Sequence, residues 1–317
     1  MIPPNNYTIF GIHSNAERYS WAAYHLFVLL SSIIGDTLIL YATFQKDAFR
    51  LNRFIVSIMQ CIAVCDLVSV ITVVFPGAVS LLTNTWVLGD AMCYAREYLG
   101  RYSYFVGMCL IAAMTTGKFL LVKYPLRSTY LTKKMAYKIS IIIFMAYLAL
   151  PLNTLIVDKD DIVFDYRVYG CTHIFTKGIW KTLLPITVTI TMFIPNIVIV
   201  ATTIPILVMA RRSARRFGES VQWRGALPVV LTAVVYCTST IPFFVYYIGS
   251  KFIQDATSTF HVEYYRISFF MVMINIMSNF YIYTLTIRSF RRFLLTKIPL
   301  NRSSSSHVSG NMKSSAG

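Results

Sequence analysis

Four charged residues lie within or at the ends of long apolar segments, where an ionised side chain is costly. Asp36 and Asp66 each occur inside an apolar run, while Arg101 and Lys118 stand near the two ends of a third. Ionisable groups in such surroundings pair with one another, bind ions or carry protons. A lysine at the end of a segment can also extend its ammonium group to the water interface. These four residues are the first candidates for chemistry.

Residues for catalysis or for a bound metal are not evident. The five histidines show no ligand spacing, and no phosphate-binding loop or nucleophile motif occurs. We therefore expect a protein that is not an enzyme and that has no metal or organic cofactor. The histidines are His13, His25, His173, His261 and His307.

Long apolar stretches dominate the chain. Of its 317 residues, 56% are hydrophobic and 13% charged, whereas soluble domains are about 25% charged. A helix needs about 20 apolar residues to cross a bilayer. Seven windows meet this requirement: residues 21–44, 54–82, 98–122, 137–157, 180–210, 225–249 and 266–287. The sequence predicts an all-α membrane protein, a seven-transmembrane helix bundle.

Basic residues predict the orientation of this bundle. Most lysines and arginines fall in four segments that would share one membrane face, residues 46–53, 118–138, 211–224 and 288–313. Because basic loops stay in the cytoplasm, the N-terminus is predicted to lie outside a multi-pass plasma-membrane protein, and a nucleic-acid partner is excluded. The first 20 residues are polar, so we expect no cleaved signal peptide. Asn6 begins a glycosylation sequon.

The predicted domain organisation has four parts. An extracellular tail covers residues 1–20, the seven-transmembrane domain 21–287, a short amphipathic eighth helix 288–300, and a serine-rich cytoplasmic tail 301–317. The tail is either a disordered linker or a phosphorylation cluster that recruits a desensitising partner. Its serines include Ser303, Ser304, Ser305 and Ser306.

Several motifs at matching positions resemble the rhodopsin-like (class A) G-protein-coupled receptors. They are Gly35-Asp36, Asp66 in Ala-Val-Cys-Asp-Leu, Trp86-Val87-Leu88-Gly89 before Cys93, Pro195, Pro242 and Asn279-Phe280-Tyr281-Ile282-Tyr283. The resemblance implies an extracellular ligand, a heterotrimeric G protein, and arrestin at the serine-rich tail as partners. It also implies a Cys93–Cys171 disulfide and helix bends at Pro195 and Pro242.

The resemblance also implies a polar core for activation. Asp36, Asp66, Asn275, Asn279 and Tyr283 would lie together, with Asp36 where the family has asparagine. Two buried carboxylates cannot both stay ionised cheaply, so they would share a proton or a cation. The alternative is a set of polar contacts that only joins the helices. Gly107 and Ile276 stand where hydroxyl ligands for sodium are usual in the family.

The G-protein face carries altered residues. Gly117-Lys118-Phe119 occupies the position of the family's Asp-Arg-Tyr. Lys118 stands at the arginine position, seven residues before Pro125, which is the spacing that the family has. Lysine cannot offer the planar fork of arginine, and glycine removes the acid that would hold the cation. Lys118 can also be a simple helix-end anchor. Thr240 and Phe280 replace the tryptophan and proline that the family usually has in helices six and seven.

The expected ligand is neither an amine nor a retinal. Gly100 replaces the aspartate of amine receptors, and the seventh window lacks the lysine that opsins need. Cations among aromatic residues suit a peptide C-terminus, an acidic lipid or a small organic acid. The predicted pocket residues are Arg101, Tyr104, Lys181, Thr240 and Arg266. Anchoring of helix ends is an equal alternative for Arg96, Lys181 and Arg266.

Two other classes of function remain open. The altered Gly117-Lys118-Phe119 segment is compatible with a scavenger or scaffold receptor that keeps the fold without signalling. A transporter is disfavoured, because few charged residues lie in the spans and no inverted repeat is visible.

Overall fold

The computed structural model describes residues 14–45, 48–49, 51–157, 162–165, 169–173, 180–217, 221–249 and 259–297. This part of the chain is mostly helical. In chain order its elements are α1 (Asn15–Phe44), α2 (Arg53–Ser69, a π-helical turn Val70–Val74 and Phe75–Thr83), α3 (Gly89–Ala95, a π-helical turn Arg96–Gly100 and Arg101–Lys123), a 3₁₀ turn (Pro125–Tyr130), α4 (Lys133–Val157), β1 (Ile162–Asp165), β2 (Gly170–His173), α5 (Trp180–Phe217), α6 (Val221–Gly249), α7 (Thr259–Thr286) and α8 (Arg288–Lys297).

Six helices are long and apolar enough, over their described residues, to cross a membrane. They are α1, α2, α3, α5, α6 and α7. Large apolar side chains cover the outside of the bundle, with Leu30 59% exposed and Ile142 67% exposed. Such surfaces are stable in lipid and not in water. The predicted span at residues 137–157 falls on α4, whose side chains are described only as far as Leu148.

Capping residues account for where the first two helices begin. The Ser14 hydroxyl accepts a hydrogen bond of 3.1 Å from the Glu17 N–H, so α1 begins at Asn15, earlier than the start predicted at residue 21. Asn52 accepts a bond of 2.8 Å from the Phe54 N–H and starts α2. Each cap satisfies a backbone donor that a helix end leaves without a partner.

Glycines allow the helices to approach closely. A Cβ atom at Gly35 of α1 would lie 2.5 Å from the Phe280 Cβ of α7, and one at Gly117 of α3 would overlap the Phe54 ring of α2. Between lipid-embedded helices, such close packing replaces the hydrophobic effect as a source of stability. Phe280, which replaces the proline usual in the family, therefore fits against a matching glycine.

The helices that contain prolines are continuous. Helix α5 runs through Pro195 and α6 through Pro242 without interruption of the helix. Bending at these prolines remains a prediction. With Phe280 in place of a proline, α7 is also continuous from Thr259 to Thr286.

The segment after α4 contains a hairpin that the sequence did not predict. Strands β1 and β2 pair antiparallel, with Phe164 opposite Cys171. The short run Ile162–Asp165 has too few residues for its alternation to be distinguished from a loop. A disulfide joins Cys171 to Cys93 of α3, so the predicted pairing is confirmed.

Helix α8 follows α7 directly and is amphipathic. Phe290 is fully buried and its ring stacks on Phe49 at 4.8 Å between centroids, while Leu294 is 8% exposed. Arg291 and Arg292 are exposed. The apolar face thus packs on the bundle and the basic face is left outside.

A matched pair of glycine substitutions tests the close packing of α1 and α7. Gly35→Ala should lower the melting temperature, because its new methyl group meets the Phe280 Cβ at 2.5 Å; overpacking typically costs about 1–3 kcal/mol. Gly107→Ala is the control, since its methyl group meets only the Cys65 Cβ, at 4.0 Å. Both substitutions replace a helical glycine by alanine, so the gain in helix propensity is the same for the two variants. Equal melting temperatures would contradict the proposed packing.

Candidate functional site: a cavity in the helix bundle

A cavity of about 270 Å³ lies between α2, α3, α5, α6, α7 and the hairpin. The end next to the hairpin, called the outer end below, is formed by Cys171 of the hairpin and by Arg96, Glu97 and Arg101 of α3. Apolar side chains line its middle, and Asp66 and Asn275 lie at the opposite end, called the inner end. Concave sites with an apolar wall and a few polar groups are typical of small-molecule binding.

Both π-helical turns border this cavity and touch each other. A Cβ at Gly100, which ends the turn in α3, would overlap Cγ2 of Val73 in the turn of α2. A π-helical turn widens a helix by one residue and often marks a functional site. Here the turn in α3 carries Arg96 and Glu97, which both line the cavity.

Arg96 holds the hairpin over the outer end of the cavity. Its side chain is almost fully buried, and Nη1 donates a hydrogen bond of 2.9 Å to the Tyr169 carbonyl oxygen. The guanidinium carbon also lies 6.0 Å from the centre of the Phe269 ring, within cation–π range. A Cβ at Gly170 would overlap the Arg96 guanidinium, so only glycine fits there. Arg96 is therefore a structural partner of the hairpin as well as part of the cavity wall.

Arg101 also lines the cavity and is paired with an acidic residue, Glu97. The Arg101 guanidinium forms an ion pair with the Glu97 carboxylate one turn earlier on α3. Arg101 keeps 26% of its side-chain surface exposed, whereas Glu97 keeps 9%. The predicted pocket residues Arg101 and Tyr104 both line the cavity. Glu97 was not among the predicted pocket residues, although its spacing of four residues from Arg101 is the usual signal for a helical ion pair.

The predicted pocket residues Arg266 and Thr240 do not line this cavity. Arg266 is fully buried and contacts the carboxylates of Glu17, at 2.8 Å, and Glu263, at 2.9 Å. These contacts draw its side chain toward α1. Thr240 donates to the carbonyl oxygen of Tyr236 on its own helix, at 2.8 Å. The side chain of Lys181 lies outside the described residues, as do Asn6 and Ser303, Ser304, Ser305 and Ser306.

Polar groups gather at the inner end of the cavity. Asn279 Nδ2 donates to Asp66 Oδ2 at 2.8 Å, which joins α7 to α2. Asn275 lies one turn before Asn279 on α7 and lines the cavity. Tyr104 and Tyr236 line it too, and their buried hydroxyl groups lie close enough to interact with each other.

The residues of the predicted polar core do lie close together. Asp36 is 1% exposed and near enough to Asp66 for the two carboxyl groups to interact electrostatically. Tyr283 is buried beside them and interacts with both. Within the described part of the chain, Asp36 Oδ2 has no hydrogen-bond partner, and the Tyr283 hydroxyl lies near the side chain of Thr232. A proton or a small cation held here remains a prediction.

At the inner end of α3, Lys118 faces α6. Its Nζ lies 3.3 Å from the position that a Cβ of Gly225 would occupy. Within the described residues, no carboxylate lies within 4.0 Å of this ammonium group. The Phe54 ring fills the space beside Gly117, so there is no room for the acid that the family usually places there. Phe119 packs on Ile206 of α5 and on α6.

The contact between Gly170 and Arg96 can be tested with a double-mutant cycle. Gly170→Ala should lower surface expression and the melting temperature, because the added methyl group overlaps the guanidinium. Combining it with Arg96→Ala should recover part of the loss, since the truncated side chain leaves room for the methyl group. Contacting residues typically couple by about 0.5–3 kcal/mol. Strictly additive losses in the double mutant would rule out the contact.

A comparison with known protein families agrees with this architecture. The family model for the 7 transmembrane receptor (rhodopsin family) matches residues 35–283. The match begins at Gly35 in α1 and ends at Tyr283 in α7, so it includes the disulfide, the cavity and the polar core. It covers well over half of the chain. The chain therefore belongs to the rhodopsin family of seven-transmembrane receptors.

Proposed function

We propose that this protein is a plasma-membrane receptor that transmits the binding of an extracellular ligand to a heterotrimeric G protein. The observation that carries this proposal is one continuous cavity that begins beneath the hairpin and ends at Asp66 and Asn275. A ligand in this cavity would act directly on groups that join α2 to α7. Membership of the family supplies the expectation that such a change is transmitted to the inner face.

The proposed topology has seven spans with the N-terminus outside. Helix α4 would be the fourth span, which completes the bundle around the six helices described above. The basic residues of the connecting segments would then face the cytoplasm, and the disulfide of Cys93 and Cys171 would face the oxidising side. In this arrangement α8 lies on the inner leaflet with Arg291 and Arg292 toward the headgroups.

The proposed ligand is a small organic acid, the C-terminus of a peptide or an acidic lipid. Two guanidinium groups, those of Arg96 and Arg101, stand at the outer end of the cavity, and Arg101 forms an ion pair with Glu97. Guanidinium groups bind carboxylates through paired hydrogen bonds. Beneath them the wall is apolar and aromatic. The chemistry of the wall thus favours a ligand with one acidic group and an apolar body.

The proposed G-protein site is the inner end of the bundle around Lys118. In the structure the Lys118 ammonium group lies against α6 at Gly225. An outward movement of α6 would expose this group to an inserted helix of the partner. Lysine offers a point charge where arginine would offer a fork, so its contacts should be fewer. Arrestin binding at Ser303, Ser304, Ser305 and Ser306 and glycosylation at Asn6 are part of the proposal.

One observation favours a second candidate, a scavenger or scaffold receptor that does not signal. The Phe54 ring fills the space next to Gly117, and no described carboxylate holds Lys118. The ion pair between an acid and an arginine, which in the family holds the resting state at these two positions, is therefore missing. A receptor without this control either signals without ligand or does not signal.

Replacement of Lys118 tests the proposed G-protein site. Lys118→Ala should reduce nucleotide exchange on the G protein several-fold and leave ligand affinity within a few-fold, because the residue lies about two turns of α3 beyond Ile111, which lines the cavity. Lys133→Ala, which removes an exposed lysine near the same membrane face, is the control of equal charge. The measurement is basal and stimulated exchange at matched surface levels. An equal loss in both variants would show that only the net charge of this face matters.

Replacement of Asp36 tests the polar core. Asp36→Asn removes one of two neighbouring buried carboxyl groups and restores the residue that the family usually has. We therefore expect a retained fold and a smaller dependence of the melting temperature on sodium concentration and pH than in the parent. Thr37→Val, one residue away on α1, is the control. A large loss of thermal stability at all conditions would contradict the proposed proximity of Asp36 to Asp66.

A further inference from the structure

We propose that the inner end of the cavity is a subsite for a cationic or hydrogen-bond-donating group of the ligand, and that Gly107 keeps this subsite open. The inference rests on the proposed function in one respect: it takes the ligand to occupy the cavity. It adds that the ligand is a small molecule with two polar ends, an acid outside and an amine or hydroxyl inside.

Gly107 differs from the other glycines of the bundle. Added Cβ atoms at Gly35, Gly100 and Gly117 would collide with neighbouring side chains, so those glycines serve helix packing. A Cβ at Gly107 would meet only the Cys65 Cβ, at 4.0 Å. Packing therefore does not require a glycine at position 107. What the glycine provides is open space, and that space belongs to the cavity, since Gly107 lines it.

The groups around this space favour a positively charged or donating partner. The Asp66 carboxylate lines the inner end and receives one described hydrogen bond, from Asn279. Asn275 Oδ1 is buried and has no hydrogen-bond partner among the described residues. Asp36 adds a second carboxyl group nearby. A buried acceptor without a donor is costly, so a donor from the ligand would be bound strongly here.

The wall between the two ends of the cavity is mostly apolar. Gly107 has no side chain and Ile276, on the same wall, is apolar. Between this end and the arginines of the outer end, the wall is formed by Met108, Phe243 and Met273 among others. An apolar segment of the ligand would lie there.

A cysteine at position 107 tests whether the subsite is open to the outside. Gly107→Cys is prepared in the full-length receptor with Cys65→Ala, and methanethiosulfonate ethylammonium is added to intact cells. We expect the new thiol to react at least ten-fold faster than one at Val64, which is 43% exposed on the lipid-facing side of α2 near the depth of Asp66. Receptor with Cys65→Ala alone measures the background. Ile276→Cys replaces Gly107→Cys if that variant does not reach the surface.

The charge of the reagent tests the chemistry of the subsite. For each reagent, the rate with the receptor is divided by the rate with a free thiol in solution. The corrected rate of the cationic reagent should be at least ten-fold higher than that of the anionic ethylsulfonate reagent. Asp66→Asn should reduce this preference several-fold. The proposal would be overturned if the Gly107→Cys thiol reacted no faster than the thiol at position 64. It would also be overturned if the cationic and anionic reagents had equal corrected rates. These rates require neither a ligand nor a G protein, so their failure is distinct from a failure to stimulate nucleotide exchange.

Discussion

The hydrogen bond from Asn279 to Asp66 joins α7 to α2 at the centre of the bundle, and the rest of the proposed mechanism depends on it. It forms the inner end of the cavity on one side and borders the polar core of Asp36 and Tyr283 on the other. In surroundings that contain little water, each of these polar groups needs a partner from the protein or from a bound molecule. A ligand that changes the partners of Asp66 therefore changes how the two helices are held together.

Small residues determine how close the helices come to this centre. Gly35 lets α1 contact Phe280 of α7, and Gly100 lets the two π-helical turns touch. Gly117 admits the Phe54 ring at the inner end, which removes the place of an acid beside Lys118. The same type of residue thus supports the fold at two positions and alters the surroundings of Lys118 at a third. Gly107 has the opposite effect, because it leaves space empty.

Much of this arrangement could be predicted from the sequence, because apolar length and fixed motif spacing are local signals. Six of the predicted spans, the Cys93–Cys171 disulfide and the proximity of Asp36 to Asp66 were predicted from such signals. The burial of Arg96 under the hairpin could not be predicted, since it depends on where the Tyr169 carbonyl lies in three dimensions. Arg266 was assigned to the pocket for its charge, but Glu17, which is distant in sequence, binds it instead.

The central claim is that this bundle communicates with a G protein, and nucleotide exchange tests it most directly. Purified full-length receptor in lipid nanodiscs would be mixed with a panel of heterotrimeric G proteins, and GTP uptake measured without ligand and then with small organic acids that carry an amine or hydroxyl. The account predicts exchange above the rate of the G protein alone for at least one member of the panel. Rates that stay at the level of empty nanodiscs for every G protein and every compound would contradict it and favour a receptor that binds without signalling.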